Sequence, residues 1–167
     1  AGAMAPENDL DILEDWDTYG EESMNLHGQL RAVVLDCENH GTVAAKRQNV
    51  GGIAGWQMLG LVKNALNTGS VDAAEAEYAG GVSGLSTGYI RNAYAKCHIS
   101  GKTNVGGIAG SATVVTDSLS QVSIENAREK QGAILGTEQT TDREAEDPIK
   151  GNYYLQVGDD MGAIDGI

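Results

Sequence analysis

The segment Asn49-Val50-Gly51-Gly52-Ile53-Ala54-Gly55 decides the fold, because Asn104-Val105-Gly106-Gly107-Ile108-Ala109-Gly110 repeats it residue for residue. Related copies, each with glycines around an aliphatic residue, lie at 78–84, 132–136 and 162–166. The first glycines of the five copies are residues 51, 80, 106, 132 and 162, so the copies begin 29, 26, 26 and 30 residues apart. A period of this length is typical of stacked repeat architectures.

A second motif precedes each glycine run and holds aliphatic residues in a fixed frame. Residues 62–71 correspond to 90–99, residues 34–43 and 115–124 fit the same frame, and 149–157 fits it after a shift. The frame predicts two or three short strands per repeat. Superposing the repeats gives three aliphatic columns: Val34, Val62, Ile90 and Val115; Val43, Val71, Ile99 and Ile124; Ile53, Val82, Ile108, Ile134 and Ile164.

These columns predict an all-β fold, a parallel β-helix or β-solenoid of about five short coils. No single repeat can bury its apolar face alone, so each coil must cover the next. We expect right-handed coils, because crossovers between parallel strands favour that hand. The 23 glycines and only two prolines in 167 residues favour many tight backbone positions over long helices. A fourth column, formed by Asp36, Asn64, Asn92 and Asp117, is interpreted as a structural ladder at a turn, with a binding row as the alternative.

The two ends of the chain depart from the repeat. Residues 1–27 are interpreted as an expression remnant, Ala1 to Met4, followed by an acidic segment with Leu10, Leu13 and Trp16 at helical spacing. This spacing predicts a short amphipathic helix that caps the first coil and shields its open β edge. Residues 28–167 are the repeats, with a loop inserted near 137–148, where apolar periodicity is lost.

The net charge of the chain argues against a nucleic-acid-binding protein. Eleven Lys and Arg against 24 Asp and Glu give a net charge of -13, so no nucleic-acid partner is expected. The acidity is interpreted as a solvated surface, with cation binding as the alternative.

No apolar run approaches the roughly 20 residues that span a bilayer, so no membrane insertion is expected within this segment. Cys37 and Cys97 occupy unlike places in the repeat and are expected to be free thiols.

Catalytic, metal and cofactor sites are not predicted. His27, His40 and His98 are scattered, and neither a His-Glu-x-x-His segment nor a Cys-x-x-Cys pair occurs. The acidic tail 159–165 lacks the alternating ligand spacing of a calcium loop. A β-helix that cleaves glycans with two opposed carboxylates stays an alternative, although nothing in the sequence places two carboxylates opposite each other.

Three aromatic residues are candidate ligand-binding positions. Trp56 and Tyr89 lie just outside glycine runs, and Tyr94 lies within an expected strand. At such positions an aromatic ring can stack on the face of a sugar, and the alternative is packing against neighbouring loops.

The glycine motif and the preceding 62–71 segment together resemble the GLUG repeat, and Gly151-Asn152-Tyr153-Tyr154-Leu155 resembles the end of such arrays. The resemblance covers roughly residues 30 to 167 and weakens after Gly110, where Ala133 and Ala163 replace the second glycine. GLUG repeats occur in bacterial cell-surface and secreted proteins, including immunoglobulin-A-type proteases and proposed adhesins, outside the catalytic region. The resemblance therefore implies an extracellular or cell-surface location and transfers no catalytic residue.

The function predicted from the sequence is that of a non-catalytic repeat module, not an enzyme, in a bacterial surface or secreted protein. It would act as a spacer or as an adhesive, ligand-binding surface, with a host or environmental glycan or an extracellular protein as partner. The alternative is an accessory substrate-binding segment of a large secreted protease or glycan-active enzyme. The oligomeric state is left open.

Overall fold

The chain folds into an all-β solenoid of parallel sheets with about four turns. The structure is a computed structural model that describes residues 2–4, 33–58, 60–139, 148–155 and 161–165. These residues contain no helix. A strand before the first turn, β1, spans Ala3–Met4.

The strands follow one another at short intervals around each turn. Those of the first turn are β2 (Val33–Leu35), β3 (Glu38–Asn39), β4 (Val43–Ala44), β5 (Asn49–Gly51) and β6 (Ala54–Gln57). Those of the second and third turns are β7 (Leu61–Lys63), β8 (Leu66–Asn67), β9 (Val71–Asp72), β10 (Tyr78–Gly80), β11 (Ser83–Arg91), β12 (Tyr94–Ala95), β13 (His98–Ser100) and β14 (Asn104–Gly106). The remaining strands are β15 (Ala109–Thr116), β16 (Leu119–Ser120), β17 (Ser123–Glu125), β18 (Lys130–Gly132), β19 (Leu135–Glu138), β20 (Ile149–Lys150) and β21 (Tyr153–Tyr154).

Four parallel sheets, here named faces 1 to 4, enclose the core. Face 1 is the broadest and contains β1, β2, β6, β7, β11, β15, β19 and β20. Face 2 contains β3, β8, β12, β16 and β21. Face 3 contains β4, β9, β13 and β17, and face 4 contains β5, β10, β14 and β18. Each turn thus has strands on four faces, more than the two or three strands predicted, because strands of two or three residues are too short to show an alternating pattern.

Two aliphatic columns have the predicted register. On face 3, Val43 pairs with Val71, Val71 with Ile99, and Ile99 with Ile124. On face 1, the column Val34, Val62, Ile90 and Val115 is also confirmed, and it continues to Ile149. The central members of both columns are fully buried, so stacked coils cover each other as the repeat predicts.

The third column is confirmed only in part. Backbone hydrogen bonds link Ile53 to Val82, Val82 to Ile108, and Ile108 to Ile134, at 2.9 to 3.0 Å. The prediction for Ile164 is wrong, because Ile164 bridges Leu135 while the carbonyl of Ala163 accepts from the Ile134 amide.

The fifth glycine copy therefore does not form a fifth coil in the described residues, and the expectation of about five coils is replaced by about four turns. The physical reason is that the part of the fifth copy that pairs is one residue shorter than the corresponding part of the fourth. Gly162 accepts from the amide of Ala133, yet only Ala163 separates it from Ile164, whereas two residues separate Gly132 from Leu135. The copy consequently pairs with the fourth turn through one isolated bridge.

The ends of the chain also differ from the expectations. Ala3 and Met4, interpreted as an expression remnant, pair with Trp56 and Gln57 as β1. The capping helix predicted within residues 7–27 lies outside the described residues. The loop was predicted near 137–148, but Thr137 and Glu138 belong to β19, and residues 140–147 lie outside the described part of the chain.

A ladder of turn residues joins faces 1 and 2, as the fourth column predicts. Asp36, Asn64, Asn92 and Asp117 all have positive φ, between 50° and 54°. Asn and Asp tolerate this left-handed conformation better than other non-glycine residues. The Asn64 side-chain amide donates to Asp36 Oδ1 at 2.8 Å, and that of Asn92 donates to Asn64 Oδ1 at 2.7 Å. Side-chain hydrogen bonds thus run parallel to the backbone ladder.

Replacing Asn64 with alanine is expected to lower the free energy of unfolding by about 2 kcal/mol, from two lost hydrogen bonds and a strained left-handed alanine. Asn64→Gly removes the same hydrogen bonds but tolerates the positive φ, so its loss should be about half as large. Urea denaturation of the unsubstituted chain and of the two variants measures the loss from the hydrogen bonds and the loss from backbone strain. Equal stability of Asn64→Gly and the unsubstituted chain would show that the side-chain ladder contributes nothing.

Candidate ligand-binding site

Two of the three aromatic candidates lie on the outer surface of face 1. Trp56 in β6 is 39% exposed and pairs in register with Leu85. Tyr89 in β11 is half-buried and lies between Leu61 and Val114 of the adjacent strands. Leu85 and Tyr89 are four residues apart along β11, a distance of about 13 Å at the usual strand rise. Face 1 therefore presents an indole and a phenol on one surface.

The third candidate, Tyr94, lies on face 2 around the corner formed by the Asn92 turn. It belongs to an outer row, the face 2 row, formed by Glu38, Leu66, Tyr94, Leu119 and Tyr153. Tyr94 is half-buried, and its hydroxyl donates to Gln121 Oε1 at 3.4 Å. Tyr153, at the end of the row, is 72% exposed. The structure therefore separates Tyr94 from Trp56 and Tyr89.

A row of cations borders Tyr89 on face 1. This cationic row runs in register through Leu35, Lys63, Arg91, Thr116 and Lys150. Lys63, Arg91 and Lys150 are exposed. The Arg91 guanidinium carbon lies 5.1 Å from the centroid of the Tyr89 ring, within the range of a cation–π contact. Aromatic and cationic groups are thus adjacent on the same surface.

Sequence reasoning missed the cations, although a signal for them was present. The frame that aligns residues 62–71 with 90–99 also aligns Lys63 with Arg91. Because side chains alternate across a strand, Lys63 and Arg91 must point away from the buried Val62 and Ile90 beside them. Strand alternation applied to the repeat frame would have identified this pair.

Two histidines, His40 and His98, form small polar clusters on the surface. His98 Nδ1 lies 3.0 Å from Ser123 Oγ, and His98 Nε2 lies 3.5 Å from Glu125 Oε2. The side chains of His98 and Glu125 are 42% and 66% exposed. Activation of a hydroxyl for acyl transfer relies on aligned donors for the oxyanion in a water-excluded site. On an exposed sheet surface this arrangement is instead a weak polar contact.

Both cysteines are free thiols, as predicted. Cys37 is exposed. Burial raises the pKa of Cys97 to about 12, so its thiol is protonated and unreactive at neutral pH.

In the described residues, no three His, Cys, Asp or Glu side chains are grouped so that they could hold a metal ion. Within the same part of the chain, no helix is long and apolar enough to cross a membrane. Comparison with protein-family models, with curated proteins and with solved structures returns no match. The site must therefore be interpreted from its own chemistry.

Proposed function

We propose that this chain is a non-catalytic, GLUG-like β-solenoid module of a bacterial surface or secreted protein, and that it binds an extracellular ligand on its outer faces. One observation carries the proposal. Apolar and aromatic residues recur on the outside of successive turns, where a passive spacer needs only polar residues.

The outer apolar residues are continuous in register. On face 1, Leu61 pairs with Tyr89, and Tyr89 with Val114. On face 2, Leu66, Tyr94, Leu119 and Tyr153 are neighbours in the same way. Leu119 and Tyr153 are exposed and the other residues of these rows are half-buried. Contiguous apolar surface on soluble proteins marks interaction sites, and aromatic side chains with a polar group suit ligands with both apolar and polar faces. A glycan or an extracellular protein fits this description.

The test is direct binding of the purified, labelled chain to mucins, plant and bacterial glycans, immunoglobulin A and matrix proteins, with and without calcium. We expect saturable binding to one member of the panel. Replacing Trp56 or Tyr89 with alanine should weaken it by about tenfold or more if face 1 is used, since central aromatic anchors dominate binding energies. Replacing Tyr94 should do so if face 2 is used.

The control is Tyr78→Ala, which removes a half-buried tyrosine from face 4. It should leave binding unchanged. Binding to no member of the panel would contradict ligand recognition and leave the spacer role. A loss caused equally by Tyr78→Ala would show that the aromatic candidates have no special part.

The extracellular location of the protein and the right-handedness of its coils belong to the same proposal. The GLUG resemblance supports an extracellular location, which protease accessibility on intact producing cells would test. Right-handed coils are supported by the preference of parallel crossovers for that hand, and a crystal structure would test it. The same faces would serve an accessory segment of a secreted protease or glycan-active enzyme, and activity measurements on the full parent protein would distinguish that role.

A further inference from the structure

Lys63 and Arg91 form a pair of like charges on face 1. The two residues are directly opposite each other in adjacent parallel strands, about 4.8 Å apart at the backbone. Like charges in this position destabilise a sheet. Three ion pairs join described residues, His40 with Glu38, His98 with Glu125, and Lys130 with Asp165, and none includes Lys63, Arg91 or Lys150. No described carboxylate is therefore within ion-pair distance of this row, although Asp36 and Asp117 lie beside it.

The described residues carry little of the overall acidity of the protein. The described residues contain ten acidic and nine basic side chains, so their net charge is about -1 of the total of -13. The other twelve negative charges belong to residues 5–32, 140–147 and 156–160. Two described carboxylates adjoin the cationic row, because the amides of Asp36 and Asp117 donate to the carbonyls of Lys63 and Lys150 at 3.1 and 3.0 Å. The three cations of the row therefore exceed these two carboxylates by one positive charge.

The spacing of the cations on face 1 suits a polymer that carries negative charges at intervals along its length. Lys150 lies two strands beyond Arg91, across Thr116, which is about 10 Å. Tyr89 lies beside Arg91, and Trp56 lies further across the same surface. A sugar ring that packs on Tyr89 would place a charged substituent within reach of Lys63 and Arg91.

We propose that face 1 binds a linear acidic polysaccharide, with Lys63 and Arg91 holding its carboxylate or sulfate groups and Tyr89 supporting a sugar ring. The inference rests on the proposed function and names its ligand class. Acidic glycans carry one charge per one or two sugars, which suits three spaced cations. Nucleic acids are polyanions as well, but proteins that bind them present an extended basic surface along the phosphate backbone, and three cations in one row do not form such a surface.

The experiment measures calorimetric binding of the full chain to polymers that differ only in charge. Polygalacturonate is compared with its methyl ester for the carboxylate, and lightly sulfated dextran with dextran for the sulfate. We expect saturable binding to at least one acidic polymer and to neither neutral counterpart. The double variant Lys63→Gln and Arg91→Gln should weaken binding roughly tenfold for each cation removed, because charge-assisted hydrogen bonds are lost.

The matched control is the double variant Lys46→Gln and Arg47→Gln, which removes the same two charges from exposed positions between β4 and β5. It should change affinity by less than about twofold, since exposed distant charges are screened. Thermal unfolding supplies a readout independent of any ligand. The midpoint of the single variant Lys63→Gln should equal or exceed that of the unsubstituted chain, because repulsion from Arg91 is relieved while the contact of Arg91 with Tyr89 is kept.

Several outcomes would overturn the inference. If acidic and neutral polymers bind alike, or the Lys63 and Arg91 double variant binds as well as the unsubstituted chain, the ligand class is wrong while the proposed function stands. Binding to neither these polymers nor the wider panel would refute both. Preferential saturable binding of a thymidine oligonucleotide would identify another polyanion.

Two other occupants of face 1 are distinguished with the same double variant. If its substitutions change the amide NMR signals of residues 5–32 in the free chain, the acidic segment of the chain itself occupies the cationic row. If they change the oligomeric state in sedimentation velocity, a second copy does. Either result would overturn the polysaccharide assignment.

Discussion

Gly106→Ala is expected to lower the free energy of unfolding by at least about 3 kcal/mol or to prevent folding, because overpacking against rigid backbone cannot be relieved by a rotamer change. A Cβ built on Gly106 overlaps the carbonyl oxygen of Ala109 and lies 2.6 Å from the amide nitrogen of Gly136. Both neighbours are backbone atoms, one in the same turn and one in the next. The first glycine of the motif is therefore required for close stacking.

Backbone conformation is not the reason for this glycine. Gly60 and Gly151 are the glycines with positive φ in the described chain, and Gly106 is not among them. Equilibrium denaturation followed by circular dichroism measures the loss, with Gly41→Ala as the control. The nearest atom to a Cβ on Gly41 is Asn39 Oδ1, at 3.8 Å, so that variant should stay within about 0.5 kcal/mol of the unsubstituted chain. Equal stability of the two variants would contradict the stacked arrangement.

Ile99→Ala is expected to cost about 3 to 4 kcal/mol, the usual range for emptying a fully buried aliphatic site. Ile99 is 0% exposed and is flanked in its column by Val71 and Ile124. A coil above and a coil below both lose contacts when its side chain is truncated. Collapse around the cavity is restricted because the neighbouring backbones are fixed by the parallel ladder.

Ile124→Ala provides a matched comparison, with the same residue type in the same column. Ile124 pairs with Ile99 on one side and is half-buried. Its truncation should cost about half as much, since less apolar area leaves contact with the core. Urea denaturation of the two variants measures the difference. Equal losses would mean that burial does not depend on position in the stack.

The aliphatic columns could be predicted because each column residue contacts its own counterpart in the next repeat. Aligning Val71 with Ile99 in the sequence is therefore the same operation as pairing them in space. The turn ladder was predictable for the same reason, since Asn64 and Asn92 share a frame and a conformation. In-register stacking converts sequence similarity directly into contact.

The remaining features depend on properties that the repeat frame does not contain. The position of Ile164 depends on a single missing residue between it and Gly162, and similarity of the motif conceals that shift. The separation of Tyr94 from Tyr89 depends on the corner at Asn92, which divides two strands that the sequence presents as one motif. The sequence thus predicted surface aromatic residues, but it did not predict which of them share a face.

The in-register parallel stack is tested most directly by nuclear Overhauser effects between methyl groups of residues 25 or 28 positions apart. The register predicts effects between Val43 and Val71, between Val71 and Ile99, and between Ile99 and Ile124. It predicts none between Val43 and Ile99, which are two strands, or about 10 Å, apart. Missing effects along this column, or effects to partners displaced by one residue or more, would contradict the solenoid.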